Sequence, residues 1–247
     1  MFSYFTELNR KRVPSGPLDY VTHCTNPIVH AADDLSVMQT FEALSDVVRS
    51  ARAIYGDKPY RIGPSTIAMR QNPYGSATKD NPAGKRIAMA NRDPRHNALF
   101  GAAWTLAYAA TVAEARLDLL TLSTLAGPFG LVAGEGEPVQ AGRPRPLFHV
   151  LKWLGSLSGK TAISVVSSAP HRLLALGCRD RGTTHLIAAN LTAGTVRLDV
   201  SGDLAGAKTV ARLDHLSMGG DATISQAASA ATVDLPPFAV IRLALGA

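Results

Sequence analysis

The chain has 247 residues, 46% hydrophobic and 18% charged, with a net charge of +6. This composition excludes a disordered polar chain and gives enough apolar residues for a sizeable core. The charge alone does not make a nucleic-acid binder, because the basic residues are dispersed and only 6% of residues are aromatic; a weaker use of it is attraction of an anionic small molecule.

No apolar run approaches the roughly 18 residues a membrane span needs. The opening MFSYFTELNRKR is too short in apolar residues, and basic too late, to read as a signal peptide. Cys24 and Cys178 are far apart and form neither a disulfide framework nor a CxxC metal motif, which points to reduced thiols and a cytoplasmic location.

Taken in chain order, FSYFTEL (2–8) reads as a strand and LDYVTHCT (18–25) as a second. A helix follows, with Val37, Met38, Phe41, Leu44, Val47, Val48, Ala51 and Ile54 on one stripe. Ser36 with Gln39 is placed to cap it, and Gly56 to end it. PYRIGPSTIAM (59–69) reads as the third strand. Asp93 and Pro94 open a second helix whose buried side is Leu99, Phe100, Ala103, Leu106, Ala107 and Ala110. LDLLTLSTL (117–125) reads as the fourth strand, and a third helix runs from about Arg145 to Ser158.

After Lys160 the period changes from helical to alternating. Seven or eight short strands separated by turn residues indicate an antiparallel sandwich. The fold class expected is therefore α/β plus all-β: a partial (β/α)8 barrel over 1–160, then a β-sandwich over 161–247. A flavodoxin-like sheet is the alternative, but no Gly-rich phosphate loop follows a strand.

In a barrel, chemistry sits where strands end. The four ends carry Glu7 and Asn9; His23, Thr25, Asn26 and His30; Ser65, Arg70 and Asn72; and Thr121 and Ser123. Each has a plain structural reading: Glu7 pairing with Arg10 or Lys11, His23 bonding backbone, Asp33 and Asp34 favouring a helix dipole. His23, His30 and Asp33 show no HxH or HExxH spacing, so no metal and no cofactor is expected. The loop from Arg70 to Arg92 is long, basic and rich in Asn, Pro and Gly. It reads either as a solvated flap or as a lid over a hydroxylated, acidic ligand.

The segments FTELNRKR, VTHCTNPIVHAADDLSVMQTFEAL, PYRIGPSTIAMRQNPYG, NRDPRHNALFGAAW and GPFGLV resemble the D-apionate lactonase family. The resemblance covers residues 3 to 160, with the sandwich following. It implies a β domain, a glycoside-hydrolase-like barrel and a C-terminal sandwich, and hydrolysis of D-apionolactone to D-apionate in apiose catabolism. It also implies that an N-terminal half of the barrel is missing here, a partner of the same protein, and that this chain alone has little activity.

The physical site reading assigns Glu7 or His23 as general base, with Asn9, Asn26, His30, Arg70 and Asn72 as substrate contacts and oxyanion donors. Glu7, His23 and Arg70 are expected to converge on one cleft. The rival readings are a glycoside hydrolase of the related barrel clan and a non-catalytic carbohydrate-binding remnant. A retaining glycosidase needs two carboxylates about 5–5.5 Å apart, yet no Asp or Glu lies between Asp57 and Asp80. Lactone hydrolysis demands less.

Overall fold

The computed structural model describes residues 4–72, 75, 77–202, 205, 208–215 and 232–246. They form two compact units, Met1–His96 with Thr111–Arg143, and Asn97–Ala110 with Pro144–Ala247.

The first unit is built on three parallel strands, β1 (Val21–His23), β2 (Tyr60–Ile62) and β3 (Leu119–Leu120), in that spatial order. Register pairs Thr22 with Arg61 and Arg61 with Leu119, one row across the sheet. Tyr4 extends the wall through a parallel bridge to Cys24.

The strand expected over 2–8 is reduced to that bridge, and residues 2 and 3 lie outside the described residues. From Phe5 the chain is helical, α1 (Phe5–Lys11). Glu7 in its first turn and Arg10 and Lys11 in its last suit the helix dipole, and the Glu7–Lys11 ion pair at 2.7 Å adds an i,i+4 contact. These local terms outweigh the β preference of the aromatics.

Helix α2 (Asp34–Tyr55) runs 22 residues. Its cap is Asp33, which accepts from the Ser36 amide at 2.9 Å, so Ser36 belongs to the first turn and does not cap it. The Ser36 hydroxyl, and after it this amide, hold the Asp33 carboxyl below its ordinary value. Gly56 ends the helix at φ 59°.

Helices α1 and α2 cover one face of the sheet. Leu8, Val21 and Tyr55 form a small core, and the Arg52 guanidinium lies 5.2 Å over the Tyr60 ring. Side chains alternate along a strand, so Val21, His23, Tyr60 and Ile62 face the helices and are buried. Thr22, Arg61 and Leu119 occupy the other face, where Leu119 is 52% exposed. Gly63, at φ 125°, lets β2 approach β3: a Cβ there would sit 2.3 Å from the Thr121 carbonyl oxygen.

The long loop after β2 is strapped to the body of its unit. Met69 N–H donates to Ala90 O at 2.7 Å, Met89 N–H to Ile28 O at 2.8 Å, and Lys79 bridges Ala90. Asn81 spans the loop from inside, donating to the carbonyls of Lys85 and Arg92. Two arginines tie it to α2: Arg86 donates to Asp34 at 2.9 Å and Arg95 to the same carboxylate at 3.2 Å.

The Asp93–Pro94 start expected for the second helix instead opens a 3₁₀ turn, Pro94–Asn97. Asp93 spends its carboxylate on the side chain of Arg95 as well as on its N–H. Helix α3 (Leu99–Thr111) begins two residues after that turn and is buried on nearly all sides, which its apolar composition requires. Helix α4 (Pro146–Ser156) has Pro at its first position.

The second unit carries an antiparallel sandwich. One sheet has the order β4 (Thr161–Ile163), β5 (Leu173–Asp180), β6 (Thr183–Asn190), β10 (Val240–Leu245), β8 (Lys208–Leu213). The other pairs β7 (Val196–Asp199) with β9 (Thr232–Leu235). Leu173, Leu186, Ala188, Val196, Leu198, Leu235, Ile241 and Leu243 fill the core. Buried Asn190 donates its amide to the carbonyls of Gly194, Leu235 and Pro236, fixing the turn after β6 to the end of β9.

Candidate functional site

The strand ends of the first unit gather polar groups, most of them hydrogen-bonded within the fold. His23 is fully buried on the helix side of β1. Its Nδ1 lies 3.1 Å from Cys24 O and its Nε2 2.6 Å from the Tyr60 hydroxyl, so Nδ1 donates to the carbonyl and Nε2 accepts from the phenol. Phe5 packs on the ring at 5.6 Å between centroids. Burial, opposed only by the backbone hydrogen bond, pushes its pKa down to about 4. The imidazole has both ring nitrogens engaged and lies on the helix-covered face, packed under α1.

Asn26 is engaged within the fold as well. Its amide reaches three carbonyls, Thr66 at 3.0 Å and Ile67 and Ala68 at 3.1 Å each, while its Oδ1 accepts from Ile28 N–H at 3.0 Å. The side chain positions the chain after β2. Asn9 takes the C-terminal end of α1: its carbonyl and Oδ1 both accept from the Arg12 guanidinium. Asn72 donates to Ala77 O at 2.9 Å within the loop. His30 is exposed. Glu7 sits in the first turn of α1, just past the Tyr4 bridge, with its side chain 34% exposed and paired to Lys11.

Arg70 is exposed at the start of the loop, and its charge acts on the Cys24 thiol. Burial raises the Cys24 pKa, and the Arg70 charge opposes it. Tyr4, one strand over, donates its hydroxyl to Gln71 O at 2.8 Å, and burial, with Cys24 adding to it, pushes the phenol up to about 12. Tyr4, Cys24 and Arg70 therefore form one group spanning two strand ends and the root of the loop. His23, by contrast, lies on the helix-covered face. Tyr4 and Cys24 escaped sequence reasoning, although Cys24 follows His23 and so turns to the opposite face. Ser65 adds a second seam, accepting from Thr25 N–H at 2.9 Å and taking its own N–H to Thr121 O at 2.9 Å.

The buried ion pair Asp93–Arg95 was also missed. Arg95 donates from Nε and Nη2 to the two Asp93 oxygens at 2.8 and 2.6 Å. Burial works against the charge of Arg95, but Asp93 and Asp34 outweigh it and hold its pKa above the ordinary value. Among the described residues no group of three or more His, Cys, Asp or Glu is placed to hold a metal. No helix among them is long and apolar enough to cross a membrane.

A parallel β/α wall joined to an antiparallel sandwich is the architecture of glycoside-hydrolase-like TIM-barrel proteins. The chain is similar in fold to CelM2, a bifunctional glucanase-xylanase from a metagenome library, with TM-score 0.59 and 11% identity over 98% of this chain and 47% of that one. It is also similar to AbfB, a family 51 α-L-arabinofuranosidase from Bifidobacterium longum, with TM-score 0.55 and 13% identity over 98% of this chain and 55% of that one. These likenesses concern the fold alone.

The sequence assigns the family. Residues 1–159 match the D-apionate lactonase TIM barrel domain, and residues 170–243 match the C-terminal immunoglobulin-like domain of D-apionate lactonase. The chain belongs to the D-apionate lactonase family. A curated D-apionate lactonase of Brucella anthropi is 68% identical over 175 residues, which is 71% of this chain and 29% of that protein.

Proposed function

We propose that this chain carries part of the active-site wall of a lactone hydrolase that opens D-apionolactone to D-apionate in the cytoplasm, within apiose catabolism. The observation that carries the reading is the 68% identity to a D-apionate lactonase over 175 residues. Water adds to the lactone carbonyl carbon, the ring C–O bond breaks, and the proton removed from water ends on the departing ring oxygen, leaving a hydroxy acid. Arg70 is the group suited to hold the oxyanion and then the carboxylate. Glu7, past the first strand end, is the carboxylate suited to take the proton from water.

The chain supplies one wall of a barrel, so turnover by the 247 residues alone is expected to be slow. The test is acid release from D-apionolactone, followed by pH-stat, for this chain and its Arg70→Met variant, with aryl glycosides as comparison substrates. Lactone opening that falls on loss of Arg70 supports the proposal. Turnover of glycosides without lactone opening refutes it.

A further inference from the structure

We propose that Tyr4 is the positioning residue of the candidate site: its hydroxyl holds the Gln71 carbonyl and its backbone carbonyl holds the first turn of α1, so that one rigid residue sets where Arg70 and Glu7 stand relative to each other. The placement stands on geometry; its consequence for catalysis rests on the lactonase reading.

Tyr4 is itself firmly held. It pairs with Cys24 across the wall, caps α1 in an extended conformation and is buried. Its carbonyl accepts from the N–H groups of Glu7 at 3.1 Å and Leu8 at 3.2 Å. Glu7 therefore leaves the first turn of a helix whose start Tyr4 fixes.

Arg70 lies between two anchored peptides. Before it, the Ala68 carbonyl accepts from Asn26 Nδ2 at 3.1 Å and from the Thr66 hydroxyl at 2.7 Å, and Met69 N–H donates to Ala90 O at 2.7 Å. After it, the Tyr4 hydroxyl donates to Gln71 O at 2.8 Å, a tie from the strand wall to the outgoing side of the loop. A long exposed side chain keeps its torsional freedom, so what the fold presets is its point of departure.

Cys24 reports the result. It is half-buried beside Tyr4, and its thiol responds to the Arg70 charge, which opposes the upward effect of burial. The Tyr4 phenol, pushed up to about 12, carries no charge where the thiol is assayed. Removing its oxygen therefore moves the thiol through what that oxygen holds.

The test follows the pH midpoint of Cys24 alkylation by iodoacetamide in the wild type, Tyr4→Phe, Arg70→Met and the double variant. Peptide mass spectrometry separates Cys24 from Cys178. The thiolate is the reacting species, so the midpoint reads the charge around the thiol. Arg70→Met should raise it by removing the cation. Tyr4→Phe should raise it as well, and should add nothing once Arg70 is Met. An unchanged midpoint in Tyr4→Phe, or an equal rise in the Arg70→Met background, overturns the proposal. So does an unchanged midpoint in Arg70→Met, a substitution at an exposed side chain with little consequence for folding. Lactone opening by the same four proteins is followed by pH-stat. Tyr4→Phe should lower kcat about tenfold with KM within about twofold, part of the roughly 10²–10³-fold that loss of an oxyanion donor costs. An equal fall of kcat in the Arg70→Met background also overturns the proposal. A wild type that opens no lactone refutes the lactonase reading, while the thiol midpoints still decide for or against Tyr4.

Discussion

Replacing Asp93 with Ala isolates a charge in the interior of the first unit. The Arg95 side chain is 2% exposed and that of Asp93 is fully buried. The substitution removes two charge-assisted hydrogen bonds at 2.8 and 2.6 Å and the acceptor for the Arg95 N–H. Breaking a buried pair from one side costs about 3–5 kcal/mol, mostly for the charge left behind. Asp34 remains 3.2 Å from Arg95, but it is one-third exposed and shared with Arg86, so it offsets only part. The expected loss is therefore near the lower limit, about 3 kcal/mol.

Urea unfolding of the wild type, Asp93→Ala, Arg95→Met and the double variant measures it. The double variant should lose less than the sum of the singles, by 1 kcal/mol or more, about the coupling of a contacting pair. Since Arg95 helps hold the loop to α2, trypsin should also cut Asp93→Ala faster at Lys85 and Arg86. A loss below about 1 kcal/mol for Asp93→Ala, or strict additivity, refutes the reasoning.

Other consequences are equally direct. His23 has a folded pKa near 4 against an ordinary 6.5. The unfolded chain therefore takes up this proton first, so stability is full above pH 6.5 and falls as the pH drops toward 4, by about 3 kcal/mol in all. NMR titration of the His23 ring checks this, and a midpoint above 6 refutes it. Asn26→Ala strands three carbonyls and an amide near β2 and should cost about 2–3 kcal/mol in thermal or urea unfolding; an unchanged midpoint shows that water replaces the side chain. Gly63→Ala sets a methyl 2.3 Å from Thr121 O at φ 125° and should sharply lower soluble yield and melting temperature. Wild-type melting would show that β2 and β3 separate readily.

The sandwich was legible because its strands alternate cleanly and turns punctuate them: seven or eight strands were expected after Lys160, and the described residues show seven. The barrel strands are only two or three residues long, too short for periodicity to fix their ends. The aromatics of FSYFTEL drew attention from the Glu7–Lys11 spacing that makes it helical. For His23 the signal was present in parity. Val21 and His23 share one side, as do Tyr60 and Ile62, with polar Thr22 and Arg61 between them; this pattern assigns His23 to the apolar, helix-covered face. The Asn26 and Asp93 networks join residues 40 or more positions apart, or need burial to matter, and no local pattern announces them.

The Asn26 clamp bears on how this fold can be recombined. Barrels of this type are treated as strings of exchangeable strand–helix modules, cut in the loops. Here the residue that shapes the chain after β2 belongs to the module of β1, and the same boundary is stitched again by Thr25 with Ser65 and by Ile28 with Met89. A chimera cut between Gly56 and Tyr60 would separate a template from the loop it shapes. Recombination between relatives should succeed when residues 24–28 and 63–90 travel together as one inherited block, and fail when they are drawn from different parents.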